Sequence, residues 1–223
     1  LDEQNFTFIF HLAGITKAKH KEDFEKINFF YTKNLVDCIN NTDTKLIYMS
    51  SFAAHGPASE KPFMPAKVTD ENTPNTYYGK SKLKSEEYIQ KNFNGKYIIL
   101  RPTGVYGTRE TDYFVYFQTL NNHIDAFLGS VPQRLTFIYS KDLVDACILA
   151  AESEKTNKIY FVSDGNLYLD KDFSKITKDV LKKWTITMRF PLFIVKGIAY
   201  FLDFLGNVIG KQFTLNKDKY NIL

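Results

Sequence analysis

Three short apolar runs constrain this chain more than anything else in it. FTFIF (residues 6–10), KLIYM (45–49) and KYIIL (96–100) each stop abruptly in small and polar residues, HLAG, SSFAAHG and RPTGVYG. Runs this short, rich in isoleucine and aromatic residues, read as strands rather than buried helices. A fourth such run spans 158–162. Between them lie segments of helical period at residues 21–40, 78–92, 113–122, 140–152 and 172–182. Strands alternating with helices build βα units and a parallel sheet. In open sheets of this kind, ligands bind beyond the carboxyl ends of the strands, where these three runs break. The expected fold is α/β: a doubly wound parallel sheet over residues 1–165, followed by a small, mostly helical region over 166–223, with the boundary free to interleave.

The segment NTYYGKSKLKSEEY (75–88) sets Tyr78 and Lys82 four residues apart, on one face of a helix. An ammonium beside a phenol favours the phenolate and draws its pKa down from about 10. That would make Tyr78 usable as a general acid or base. Tyr77 lacks this partner, because its i+4 residue is Ser81. Lys80 and Lys84 face elsewhere on the helix and read as solvated. Residues 57–75, rich in Pro, Glu, Asp, Asn and Thr, read as a surface loop leading into this helix, near where substrate enters.

Taken in order, HLAG, the SS pair with its turn, YGKSK and RPTGVYG resemble the extended short-chain dehydrogenase/reductase family, the NAD-dependent epimerase/dehydratase group. The resemblance covers nearly the whole chain. It implies a Rossmann-like sheet, NAD or NADP as cofactor, and hydride transfer at a secondary alcohol or ketone carbon of a small-molecule substrate. The catalytic residues it implies are Ser51, Tyr78 and Lys82. Ser51 rather than Ser50 matches the family position counted back from Gly56, and Ser50 is expected to face the strand's other side. Lys82 would both tune Tyr78 and hold the nicotinamide ribose. Leu12, Ala13, Gly14 and Asn28 would lie beside the cofactor, with Pro102, Thr103 and Val105 at the turn that meets the carboxamide. Arg101 reads as a brace for the sheet end and Asp142 as a helix-opening acid. His55 stands where the family has tyrosine, and its plain reading is a surface ring. The tail, PLFIVKGIAYFLDFLGNVIGK then LNKDKY, looks more like the hydroxysteroid dehydrogenase and dihydroflavonol reductase branch, with nucleotide sugars as the alternative.

One family feature has no counterpart here. Members begin with a strand, a GxxGxxG turn and a helix whose N-terminus holds the pyrophosphate. This sequence contains no such turn and starts at Leu1. The expectation is that roughly 60 residues, about two βα units, precede it, and that the sequence as given binds NAD(H) poorly. An inactive fragment, or a dinucleotide-sensing protein without turnover, is accordingly the rival to an enzyme.

Composition narrows the partners. Of 223 residues, 29 are Lys or Arg and 25 Asp or Glu. The lysines are interspersed with acids, as on solvated helix faces, so no nucleic-acid partner is expected. Two cysteines, Cys38 and Cys147, read as small core residues of a cytoplasmic protein without disulfides. Four histidines show no ligand spacing, and no metal is expected. Lys196 and Asp203 within the apolar stretch at 191–211 argue against a membrane span. An amphipathic helix packed as core or lid is expected there, with membrane-surface contact as the second reading. A homodimer remains open.

Overall fold

The computed structural model describes residues 6–40, 42–58, 64–129 and 131–209. In chain order the elements begin with β1 (Phe8–His11), α1 (Lys21–Phe24), a π-helical turn (Glu25–Phe30) and α2 (Tyr31–Ile39). They continue with β2 (Lys45–Met49), a 3₁₀ turn (Phe52–Ala54), α3 (Tyr77–Asn92), β3 (Tyr97–Pro102), β4 (Gly104–Tyr106) and α4 (Asp112–Asn121). Then follow β5 (Ile124–Leu128), β6 (Arg134–Leu135), β7 (Phe137–Tyr139), α5 (Ser140–Glu152) and β8 (Lys158–Val162). The last are β9 (Tyr168–Leu169), α6 (Asp170–Leu181), β10 (Ile186–Phe190) and α7 (Leu192–Ile209).

Two units interleave along the chain. The residues through Thr103, with Lys141–Val162, form the first; Gly104–Ser140 and the residues from Ser163 onward form the second. Residues 104–140 thus lie in the second unit, although they precede the expected boundary near 165.

The first unit is a parallel sheet in the order β1-β2-β3-β8, with Tyr48 opposite both His11 and Ile99. Alternation along the strands sends side chains to two cores. Leu46, Tyr48, Tyr97 and Ile99 pack against Val36 and Ile39 of α2 and Ile89 and Phe93 of α3. Ile47, Ile98 and Leu100 pack on Cys147, Ala150 and Ala151 of α5. Helices cover both faces, which is the doubly wound arrangement expected. At the start of β2, the buried Lys45 ammonium donates to the carbonyls of Ala150 (2.6 Å), Ala151 (3.2 Å) and Ser153 (2.6 Å), satisfying the C-terminal end of α5.

The second unit holds pairings the sequence reading did not anticipate. β5 and β10 run parallel, β4 and β7 run parallel, and β6 and β9 run antiparallel. Residues 166–209 are mainly α6 and α7, with β10 between them. In α7, Val195 and Ala199 are buried while Phe193 and Phe201 are exposed. Among the described residues, no helix is long and apolar enough to cross a membrane. Cys147 is buried as expected, but Cys38 points outward from α2 and is exposed.

Candidate active site

The helix carrying Tyr78 and Lys82 starts at Tyr77, where Thr76 caps it: extended backbone, with the hydroxyl accepting from the Gly79 amide at 3.0 Å. Ser51 caps the 3₁₀ turn that follows β2, accepting from the Ala53 amide at 3.2 Å. Gly79 brings these two segments together. A Cβ there would sit 2.2 Å from the Ala53 carbonyl oxygen, so only glycine allows the helix to lie this close to the turn. The Tyr78 phenol thereby comes close enough to the Ser51 hydroxyl for the two to interact. Tyr77, one residue earlier, is exposed.

Lys82 is buried; its ammonium donates to the Met49 carbonyl at 2.9 Å and stands 5.1 Å from the centre of the Tyr48 ring. Burial draws its pKa down to about 8, with Glu86 acting in the opposite direction. The effect on Tyr78 corrects the expectation from spacing. Burial raises the phenol's pKa, and the interaction with Ser51 only partly opposes it. The i+4 spacing places an ammonium on the same helical face, but desolvation of the phenol sets the direction.

Leu12, Ala13 and Gly14 lie exposed beyond β1. A Cβ on Gly14 would meet Asn28 Oδ1 at 3.0 Å and Lys82 Nζ at 3.1 Å. Gly14 therefore lets the backbone run close beside a carboxamide and an ammonium, where a side chain would crowd both. Asn28 lies within the π-helical turn and is fully buried. Its carboxamide accepts from the Ile15 amide (2.8 Å) and donates to the Ile15 carbonyl and to Ser81 Oγ (3.0 Å each). Ser81 Oγ in turn donates to the Tyr78 carbonyl at 2.7 Å. Asn28 thus ties the 12–15 loop to the helix that carries Tyr78. Pro102 ends β3, and the Thr103 amide donates to Val162 at 3.0 Å, both in the first unit. Val105 belongs to β4 of the second unit, opposite Ile138. Beside it, Tyr106, Gly107, Arg109, Glu110, Phe114 and Phe117 line a cavity of about 230 Å³.

Glu86 was not singled out from the sequence, although it continues the spacing of Tyr78 and Lys82 by one more turn. It is fully buried and takes a forked ion pair from Arg101, with Nε 3.0 Å from Oε1 and Nη2 2.6 Å from Oε2. The Ser50 hydroxyl also donates to it. Ser50 and Ser51 therefore serve different partners, and Arg101 is the brace expected. His55 is a second correction. It is buried, stacked on Phe52 (5.5 Å between centroids) with Phe161 edge-on at 5.4 Å, and its Nδ1 is 3.1 Å from the Gly56 carbonyl. Lys84 is not simply solvated, since it pairs with Glu25 and covers the Phe29 ring. Asp142 lies in the first turn of α5. Among the described residues, no group of three or more His, Cys, Asp or Glu could hold a metal ion.

A parallel sheet covered on both faces, with a serine, a tyrosine and a lysine gathered at its carboxyl end, defines a class of dinucleotide-dependent fold. The model of the NAD dependent epimerase/dehydratase family matches residues 1–163, and the chain belongs to that family. Short-chain dehydrogenase/reductase family 42E member 1 of Xenopus laevis is 26% identical, covering 88% of this chain and 57% of its own length. dTDP-4-dehydro-6-deoxyglucose reductase of Escherichia coli is 27% identical, covering 86% of this chain and 65% of its own length. The chain therefore spans less than two thirds of each of these curated relatives. Among solved structures, RMD from Pseudomonas aeruginosa complexed with NADPH superposes with a TM-score of 0.74 at 18% identity, covering 85% of this chain and 70% of that one. UDP-glucuronic acid 4-epimerase from Bacillus cereus in complex with NAD gives 0.73 at 20% identity, covering 83% and 63%. At those identities the likeness is one of fold.

Proposed function

We propose that this chain carries the proton-transfer side of an NAD(P)-dependent oxidoreductase or epimerase/dehydratase, working at a secondary alcohol or ketone carbon through Ser51, Tyr78 and Lys82. The observation that carries this reading is the juxtaposition at the end of β2. The Ser51 hydroxyl lies within reach of the Tyr78 phenol, and the Lys82 ammonium lies on the same helical face, close to Gly14. The nicotinamide ribose is assigned to the side of Gly14, where the backbone runs bare beside Asn28 and Lys82, with Leu12 and Ala13 beside it and Pro102 and Thr103 at the end of β3 for the carboxamide. Bound there, NAD(P) supplies the hydride acceptor or donor.

The chain's own residues supply the rest. Ser51 steadies the substrate oxygen as charge develops on it. Tyr78 passes a proton to that oxygen or takes one from it. Burial keeps the phenol protonated at neutral pH, the form that donates to a carbonyl, so the arrangement supports the reductive direction. Lys82 orients the ribose and supports the phenolate once it forms. A nucleotide-linked sugar is the substrate class we read first, because the Escherichia coli relative is a dTDP-sugar reductase. A steroid- or flavonol-like alcohol, suggested by the tail, is the second. The whole enzyme containing this chain is expected to lose nearly all turnover on Tyr78→Phe while still binding NAD(H). Lys82→Met should weaken both. Near-normal kcat in Tyr78→Phe would overturn the assignment, and a panel of UDP-, dTDP- and steroid-type substrates would separate the two classes.

A further inference from the structure

We propose that His11 is a positioning residue for Lys82: a neutral imidazole, protonated on Nε2, that packs on the same Tyr48 ring as the buried ammonium and lets it remain charged. This deepens the reading of Lys82 given above and rests on it.

The tautomer follows from hydrogen-bond accounting. His11 ends β1 and is buried, with Nε2 2.8 Å from Thr32 Oγ1. The Thr32 hydroxyl is also 2.6 Å from the Asn28 carbonyl oxygen, which can only accept. A hydroxyl has one proton to give. Thr32 spends it on Asn28, so it must accept from His11, and Nε2 carries the hydrogen. Nδ1 is left as the basic nitrogen.

The position explains why the ring must stay neutral. The His11 and Lys82 side chains share one buried ring, with His11 5.5 Å and the Lys82 ammonium 5.1 Å from Tyr48. From α2 His11 meets Thr32 and, through it, Asn28, neither of them ionisable. From β2 it meets the Tyr48 phenol, which burial holds in its neutral form. From α3 the Lys82 charge bears on it, and Tyr78 and Glu86 share the helical face of Lys82. Glu86 is the one acid in the group, and Arg101 and Ser50 already engage it. A proton on His11 would therefore place a second cation against the ring that Lys82 already occupies, with no acid left to balance it. Burial and the Lys82 charge accordingly push the His11 pKa down to about 4.

Ring-nitrogen NMR on the ¹⁵N-histidine-labelled 223-residue chain, which has four histidines, tests this. His11 should show the Nε2–H tautomer and titrate well below the ordinary imidazole range. Lys82→Met should raise the His11 titration by about half a unit or more, since the Lys82 charge holds it down. His11→Gln, which keeps a distal N–H for Thr32, should leave the Lys82 titration close to wild type. His11→Arg should depress it by about one unit or more through like-charge repulsion. An Nδ1–H tautomer, or a His11 titration indifferent to Lys82→Met, overturns the inference even if His11→Arg does not fold. If instead the coupling holds but Lys82→Met leaves turnover and NAD(H) binding intact, the catalytic reading fails, and with it the positioning role.

Discussion

Gly79→Ala pits a helix preference against a steric requirement, and the structure decides the sign. Replacing glycine by alanine within a helix ordinarily stabilises by about 0.5–1 kcal/mol. Here the new methyl would sit 2.2 Å from the Ala53 carbonyl oxygen and 2.9 Å from its carbon. Ordinary contact begins at 3.4 Å, so α3 or the 52–54 turn must give way by 3.4 − 2.2 = 1.2 Å. Both obstructing atoms are backbone, with no rotamer to relieve them, and overpacking of this kind costs about 1–3 kcal/mol. The net expectation is a loss of about 1–2 kcal/mol, a fall in Tm of about 2–8 °C for a chain of this size. The functional loss should be larger. The approach of Tyr78 to Ser51 depends on this packing, and a displacement near 1 Å costs about 100-fold in rate. Thermal unfolding followed by circular dichroism, with turnover followed by nicotinamide absorbance, measures both. A Gly79→Ala protein that is more stable than wild type and fully active would show that the approach of α3 to the turn does not position Tyr78.

Two further outcomes concern buried charge. Glu86→Gln strands the Arg101 guanidinium in the sheet and should cost about 3–5 kcal/mol in urea unfolding, whereas a loss under about 1 kcal/mol would mean the pair contributes little. For His11, the unfolded ring takes up its proton near pH 6.5 and the folded ring only near 4, so the unfolded state binds more protons between those values. Stability should therefore fall as pH drops through that window and be unaffected by this group above it, by on the order of 3 kcal/mol in all. Comparing wild type with His11→Gln isolates the effect from the carboxylates, and parallel stability curves for the two would refute it.

The legible part of this molecule was local. Strands β1, β2, β3 and β8 announced themselves as short apolar runs, and α3 by its spacing, because period and turn chemistry reside in neighbouring residues. The proximity of Ser51 to Tyr78 was legible only through the order of the motifs. What escaped depends on partners distant in the chain. β10 has no pattern of its own and exists through β5, some 60 residues earlier. His55 is buried because Phe161 closes over it. Glu86 reads as a surface acid until β3 brings Arg101 against it. The Tyr78 phenol was misread in direction because spacing identifies a neighbouring charge but says nothing of how dry the site is.

The π-helical turn at Glu25–Phe30 makes this stretch intolerant of a change in length. Removing one residue there would restore an even α-helix but swing everything beyond it by about 100°. Thr32, Val36 and Ile39, all buried, would leave the sheet, or else Asn28 would turn away from Ile15. Either side of the turn can be satisfied by an ordinary helix, but not both together. A single-codon deletion in this stretch should therefore be harder to accommodate than most single substitutions there, and the surplus residue acts as a fixed phase offset between the half of the helix that serves the loop and the half that serves the core.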